Sequence, residues 1–131
     1  MVTAIKLIDK HVGNLMCSFL GFFNRNKSIK QNAEINKILV VQLWGIGETI
    51  LTLPAIEALR KKFPKAEINV LATSRNKNVY FENKSIGRII ALKLNPFSVL
   101  AFILKNIKEY GLVIDMEEYL NISAIISFFV G

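Results

Sequence analysis

Over the first 23 residues Ile5, Ile8, Val12, Leu15, Phe19 and Phe22 recur at alternating steps of three and four, which is one stripe of a helix. Lys6, Asp9, Lys10 and Asn14 fall on the other side. The pattern predicts an amphipathic helix over 1–23, suited either to the interfacial layer of an anionic membrane or to docking on the rest of the chain. Residues 24–36 (NRNKSIKQNAEIN) carry only Ile29, Ala33 and Ile35 as apolar positions and read as a polar linker. From residue 37 the period changes. KILVVQL, over 37–43, is an almost unbroken apolar, β-branched run of the kind that forms a parallel strand buried on both faces.

A tight turn follows, and 48–63 reads as a helix whose buried face is Ile50, Leu51, Ala55, Ala58 and Leu59, with Glu57, Arg60, Lys61 and Lys62 in water. Pro64 helps to stop it. Strands are expected at 67–72, 87–92 and 110–115, a short helix at 75–81, and helices at 97–109 and 119–130. Strands alternating with helices at this spacing imply βαβ units, a parallel sheet and right-handed crossovers. The expected organisation is a helix over 1–23, a linker over 24–36 and one α/β, Rossmann-like unit over 37–131.

Composition narrows the function classes. The 131 residues suffice for one domain with a real core, and a single cysteine, Cys17, excludes a disulfide framework within the chain. Hydrophobic residues make up 52% against 21% charged, which excludes a disordered tail. No apolar run reaches the roughly 18 residues of a membrane span. Asp9 and His11 interrupt any secretory apolar core, so a cytoplasmic location is expected, with the 5–23 segment able to hold the chain against the inner face of the membrane. A net charge of +7 favours anionic surfaces or ligands, but the basic clusters at 27–30 and 60–62 lack interleaved aromatics, so nucleic-acid binding is not expected.

In open α/β sheets a ligand lies beyond the carboxyl ends of the strands, which directs attention to 44–49, 73–76 and 115–119. Gly45 and Gly47 let the backbone turn tightly between the first strand and its helix. A dinucleotide fingerprint would need glycine at Ile50 and an acid near Thr73, and a phosphate-binding P-loop would need Gly-Lys-Ser/Thr, so neither is present. Glu48 is a carboxylate at the start of a helix, either a first-turn capping acid or a proton acceptor. Asp115 and Glu117 fall on the same rim, as capping or substrate-facing acids, with Glu118 beside them. Trp44 suits stacking on a sugar or base, or packing over the helix. His11 and Cys17 have no partners in sequence that suggest a metal site or a nucleophile.

The run KILVVQLWGIGETILTLPAIEALRKKFPKAEINVLAT resembles the opening of the ADP-heptose:lipopolysaccharide heptosyltransferases, glycosyltransferase family 9, and YGLVIDMEEYLNISAI resembles a later strand-turn-helix of the same domain. The resemblance covers about 37–131. The leader with Ile8, Asp9, Lys10 and Gly13 is similar to an extension found on some members. What the resemblance implies is the N-terminal half of a GT-B architecture, in which one Rossmann-like domain receives a lipid-linked acceptor and a second binds the nucleotide-sugar donor. It further implies an inverting, metal-free transfer of a heptose-like sugar, with an acid at the position of Glu48 deprotonating the acceptor hydroxyl.

On that basis Trp44, Gly45, Gly47, Thr49, Asp115 and Glu117 are expected to surround the acceptor. No cofactor is expected beyond the donor itself, bound mainly by a separate C-terminal half. The sequence departs from the family at three places. Glutamate replaces the commoner aspartate at 48, Gln42 stands where a basic residue is frequent, and Glu117-Glu118 replaces Gln-Gly. These changes serve an anionic phosphorylated acceptor poorly and point to a different sugar. The expectation is a truncated or split glycosyltransferase acting on a cell-surface glycan or glycolipid; the alternative is a non-catalytic remnant that binds a membrane or a partner.

Overall fold

The computed structural model describes residues 34–131, so the helix expected over 1–23 and most of the linker over 24–36 lie outside the described residues. Four parallel strands, β1 (Lys37–Val41), β2 (Glu67–Ala72), β3 (Arg88–Ala91) and β4 (Leu112–Asp115), form one sheet in the order β3-β2-β1-β4. Pairing sets Val40 opposite Val70 on one side and Ile114 on the other. The chain runs outward from β1 to β3 and then returns to place β4 on the far side of β1. A crevice between β1 and β4 is therefore the point where strand order reverses.

Because β1 is central, its alternation feeds two cores. Leu39 and Val41 join Leu71, Phe102, Ile126 and Val130 under α2 (Pro96–Lys105) and α3 (Asn121–Val130). Ile38 and Val40 join Ile68, Val70, Ile56 and Tyr80 under α1 (Ile46–Lys62) and a 3-10 turn at Lys77–Tyr80. The result is a three-layer α/β, Rossmann-like unit, as the alternation of elements implies.

Local chemistry fixes the element ends. Asn95 caps α2 by accepting from the Ser98 amide at 2.8 Å, with Pro96 at the first helical position. The helix expected over 97–109 stops at Lys105. There the Asn106 side chain donates to the Phe102 carbonyl at 2.8 Å, and Lys108 takes a positive φ of 53°, which turns the chain toward β4. The short helix expected at 75–81 is only the 3-10 turn, and α3 starts at Asn121, two residues after the expected helix start. Arg60, expected in water, donates to the carbonyls of Pro64, Ala66 and Ser85 at 3.1, 2.7 and 2.7 Å, clamping the end of α1 to the loops flanking β2.

The buried face of α1 also differs from the apolar reading. Thr49, Thr52 and Ile56 are buried, whereas Ile50 is 52% and Leu51 76% exposed. The threonines are tolerated inside because their hydroxyls are paired: Thr49 donates to the Gly45 carbonyl, and Thr52 donates to the Thr49 carbonyl at 2.7 Å and meets the Tyr80 hydroxyl at 2.9 Å. Accordingly, Leu51→Gln should change unfolding free energy by no more than about 0.5 kcal/mol. Thr52→Val, which removes both hydroxyl contacts, should cost about 1–2 kcal/mol. Denaturant titration of the two variants checks the order, and the reverse order would return the apolar stripe to the core.

Candidate functional site

Past the last sheet pair of β1 the chain runs through Gln42, Leu43 and Trp44 before turning at Gly45, and the first two are buried. Their backbone groups need partners. The Gln42 amide donates to the Leu71 carbonyl at 3.0 Å. Its carbonyl accepts from Asn76 Nδ2 at 2.8 Å, and that of Leu43 accepts from the Thr73 hydroxyl at 3.2 Å. Glu117 Oε2 accepts from the amides of Leu43 and Trp44 at 2.9 and 2.8 Å, and the Trp44 carbonyl accepts from Gln42 Nε2 at 2.6 Å. Every backbone donor and acceptor of the three residues is thus held, most of them by side chains from other parts of the chain.

Asn76 is the buried hub of this arrangement. Besides the Gln42 carbonyl it donates to Thr49 Oγ1 at 2.9 Å, while its Oδ1 accepts from the Thr73 amide and hydroxyl at 2.9 and 3.2 Å. All of its near contacts therefore join β1, β2 and α1 at one point. Sequence reasoning missed it. The only signal was its place just past the end of the second strand, within a segment marked out on topological grounds.

Gly45 has φ +78°, the region that favours glycine, and stands as the N-cap of α1 without a side-chain cap. Glu48 occupies the third helical position and folds back over it: a Cβ on Gly45 would lie 1.8 Å from Glu48 Oε2. Gly47 faces open space. The expected turn residues thus divide in role. Gly45 sets the bend and Thr49 anchors it from inside, whereas Gly47 leaves the first helical turn uncovered.

Glu48 lines a recess of about 140 Å3 at the strand-order reversal, shared with Gln42, Thr52, Met116, Glu118 and Tyr119. It makes no ion pair among the described residues; the pair found there joins Lys37 and Glu109 at the opposite end of β1. Trp44 does not line this recess. It borders a larger cleft of about 570 Å3 on the β2 and β3 side, with Arg75, Lys77, Lys93, Leu92 and Leu94. The Arg75 guanidinium lies 5.0 Å from the Trp44 ring centroid. The structure therefore separates two residues that the sequence reading grouped: Glu48 faces an acidic recess and Trp44 a basic cleft, on either side of the same turn.

Asp115 and Glu117 also separate. Glu117 spends its carboxylate on the turn, with Oε1 accepting from the Tyr119 amide at 3.0 Å and Oε2 also 3.4 Å from Gln42 Nε2. Burial pushes its carboxyl above the usual carboxylate range, the amide bonds from Tyr119, Leu43 and Trp44 pull it back, and the Asp115 charge adds to the rise. Asp115 accepts from the Glu117 amide at 3.1 Å. Loss of hydration at the rim raises its pKa, and the hydrogen bonds from Ser123 and from that amide pull it back. Among the described residues no three His, Cys, Asp or Glu side chains converge as a metal site.

No family model matches this sequence, and no curated protein does. A solved structure described as the crystal structure of the glycosyl transferase family 9 from Veillonella parvula DSM 2008 matches with a TM-score of 0.60 and 22% identity. The two share a fold. The match covers 71% of this chain and 29% of that one, so this chain spans less than a third of its length. The structure this chain shares a fold with is thus described under the family that the runs over 37–73 and 110–125 resemble, and at this identity the likeness is one of fold.

Two outcomes follow from the site geometry. Gly45→Ala forces an alanine into a strained conformation costing about 1–3 kcal/mol and displaces the Glu48 carboxylate, whereas Gly47→Ala should be neutral or stabilising by up to about 1 kcal/mol; thermal unfolding distinguishes them. For Glu117, a folded pKa above the unfolded one means that the folded state holds the proton more tightly. Its contribution to stability is complete below the unfolded pKa and is lost as pH rises through the folded value. Glu117→Gln should flatten the fall in Tm across that window, leaving the part due to Asp115, which the pH dependence of Tm in the two proteins measures.

Proposed function

We propose that this chain is the acceptor-side half of an inverting glycosyltransferase, with Glu48 as the general base. The observation that carries this reading is the position of Glu48, partly buried at the mouth of β1 and lining a recess at the strand-order reversal, with no cation paired to it among the described residues. Likeness of fold to a glycosyl transferase family 9 structure supports the reaction class.

In the reaction, Glu48 takes the proton of an acceptor hydroxyl as that oxygen attacks the anomeric carbon of a nucleotide sugar. The new glycosidic bond forms on one face while the bond to the nucleoside diphosphate breaks on the other, so the configuration inverts. The developing negative charge on the departing diphosphate needs donors from a second, nucleotide-binding domain. That domain, a heptose-like donor sugar, and a glycan or glycolipid acceptor are the partners of this reading. Attachment of 5–23 to the inner face of the cytoplasmic membrane would hold the chain at the surface where a lipid-linked acceptor lies. Among the described residues no helix is long and apolar enough to cross a membrane.

The test combines this chain with a donor-binding half and measures transfer. Glu48→Gln should lower kcat by about 10²–10⁴-fold, the usual contribution of a positioned base, with a smaller change in acceptor KM. Unchanged transfer by a folded variant would remove Glu48 from the chemistry. It would leave the partner-binding reading, which the exposed Phe97, Leu100 and Leu104 on α2 favour.

A further inference from the structure

We infer that the Glu48 recess selects an acceptor whose entering end carries a protonated amine among its hydroxyl groups, and rejects one that enters with a phosphate or carboxylate. This rests on the reading of the recess as the acceptor site and specifies what that acceptor presents.

Glu48 and Glu118 contribute carboxylates, which only accept, Tyr119 contributes a phenol, which can donate as well as accept, and among the described residues no lysine, arginine or histidine lines the recess. Thr52 directs its hydroxyl hydrogen to the Thr49 carbonyl, away from the recess. Gln42 is decisive. It is 1% exposed, lines the recess, and has its Nε2 turned to the Trp44 carbonyl at 2.6 Å and to Glu117 Oε2 at 3.4 Å. Both neighbours are acceptors, so exchanging the amide nitrogen and oxygen would set a carbonyl against a carbonyl and a carboxylate. The orientation is therefore fixed. It leaves Gln42 Oε1 buried without a partner among the described residues.

A buried acceptor without a donor is costly, and a ligand that supplies the hydrogen removes that cost. Ammonium brings three hydrogens and a positive charge to a wall of two carboxylates, a phenol and an unsatisfied carbonyl; a hydroxyl brings one hydrogen; an ionised phosphate monoester or carboxylate brings none, meets only the Tyr119 hydroxyl as a side-chain donor among the described residues, and is repelled by the two carboxylates. The cations Arg75, Lys77 and Lys93 line the Trp44 cleft instead, and none of them lines the recess.

The test is an NMR titration of the full chain, near neutral pH and at low salt, with the methyl glycosides of glucosamine, glucose and glucose 6-phosphate. Shifts of the Thr52 and Met116 amides and of the Gln42 side-chain amide report on the recess. The amino sugar should bind there at least about tenfold more tightly than the neutral sugar, the difference shrinking as salt is added, and the phosphate should leave these resonances unmoved. Glu118 is exposed, so its variants should fold. Glu118→Gln should bring amino and neutral sugars within about threefold, and Glu118→Lys should reverse the order in favour of the phosphate.

Equal or tighter binding of the phosphate by the unaltered recess would overturn the inference. So would no response to any of the three sugars, or an order indifferent to Glu118→Lys. The outcome is separable from that for the base. Amine selection with undiminished transfer by Glu48→Gln would sink the base alone, and loss of transfer by that variant without amine selection would sink this inference alone.

Discussion

A central strand of a parallel sheet ends inside the protein, and the residues that follow it carry backbone polar groups with no ladder to join. Gln42, Leu43 and Trp44 are in this position, and their pairing controls the rest of the site. A loop there with backbone partners alone would have to leave the interior at once. Side chains from beyond β2 and β4 instead reach in to hold it: Asn76 and Thr73 from one side, Glu117 from the other. The turn at Gly45 and the first turn of α1 are consequently seated against three elements. Glu48 takes its place from that seating rather than from an ion pair of its own among the described residues.

This scaffold also distributes charge. Glu117 brings an anion into the turn, and the neutral amide of Gln42 meets it where a basic side chain would form an ion pair. Because Gln42 is uncharged, the negative potential of Glu48 and Glu118 is not cancelled from beneath. On the opposite side of β1 the cleft bordered by Trp44 carries Arg75, Lys77 and Lys93 and, among the described residues, no acid. One turn of backbone thus divides an electronegative recess from an electropositive cleft, a sorting that the overall charge of +7 does not disclose.

The sheet was legible because β1 and β2 are apolar runs whose neighbours show helical spacing, and strand burial on both faces is written directly in KILVV and EINVLA. Glu48 was legible for a different reason, as an acid between a glycine turn and a helix. The face of α1 was not, because the rule that apolar residues point inward assigns Thr49 and Thr52 to water, and only their partners Gly45, Asn76 and Tyr80 reverse the assignment. Asn76 and Arg60 escaped for the same reason. Each is an ordinary loop or surface residue until the acceptors it serves, distant in sequence, are folded around it. Trp44 and Glu48, four residues apart, ended on opposite sides of a turn whose left-handed glycine sequence spacing cannot orient.

The inverted face of α1 bears on the chemistry. With threonines paired inside, the apolar residues Ile46, Ile50 and Leu51 are left outside on the first turns of the helix, 57%, 52% and 76% exposed, and Leu51 borders the recess beside Met116. A carboxylate that is to accept a proton gains strength as a base when water is displaced from around it, and an apolar rim allows a bound sugar to do this with its C–H face while its hydroxyls turn to the acids. The polar network that buries Thr49 and Thr52 therefore has two effects at once. It fixes the turn that carries Glu48, and it frees apolar surface for the side of the helix where a ligand would complete the exclusion of water.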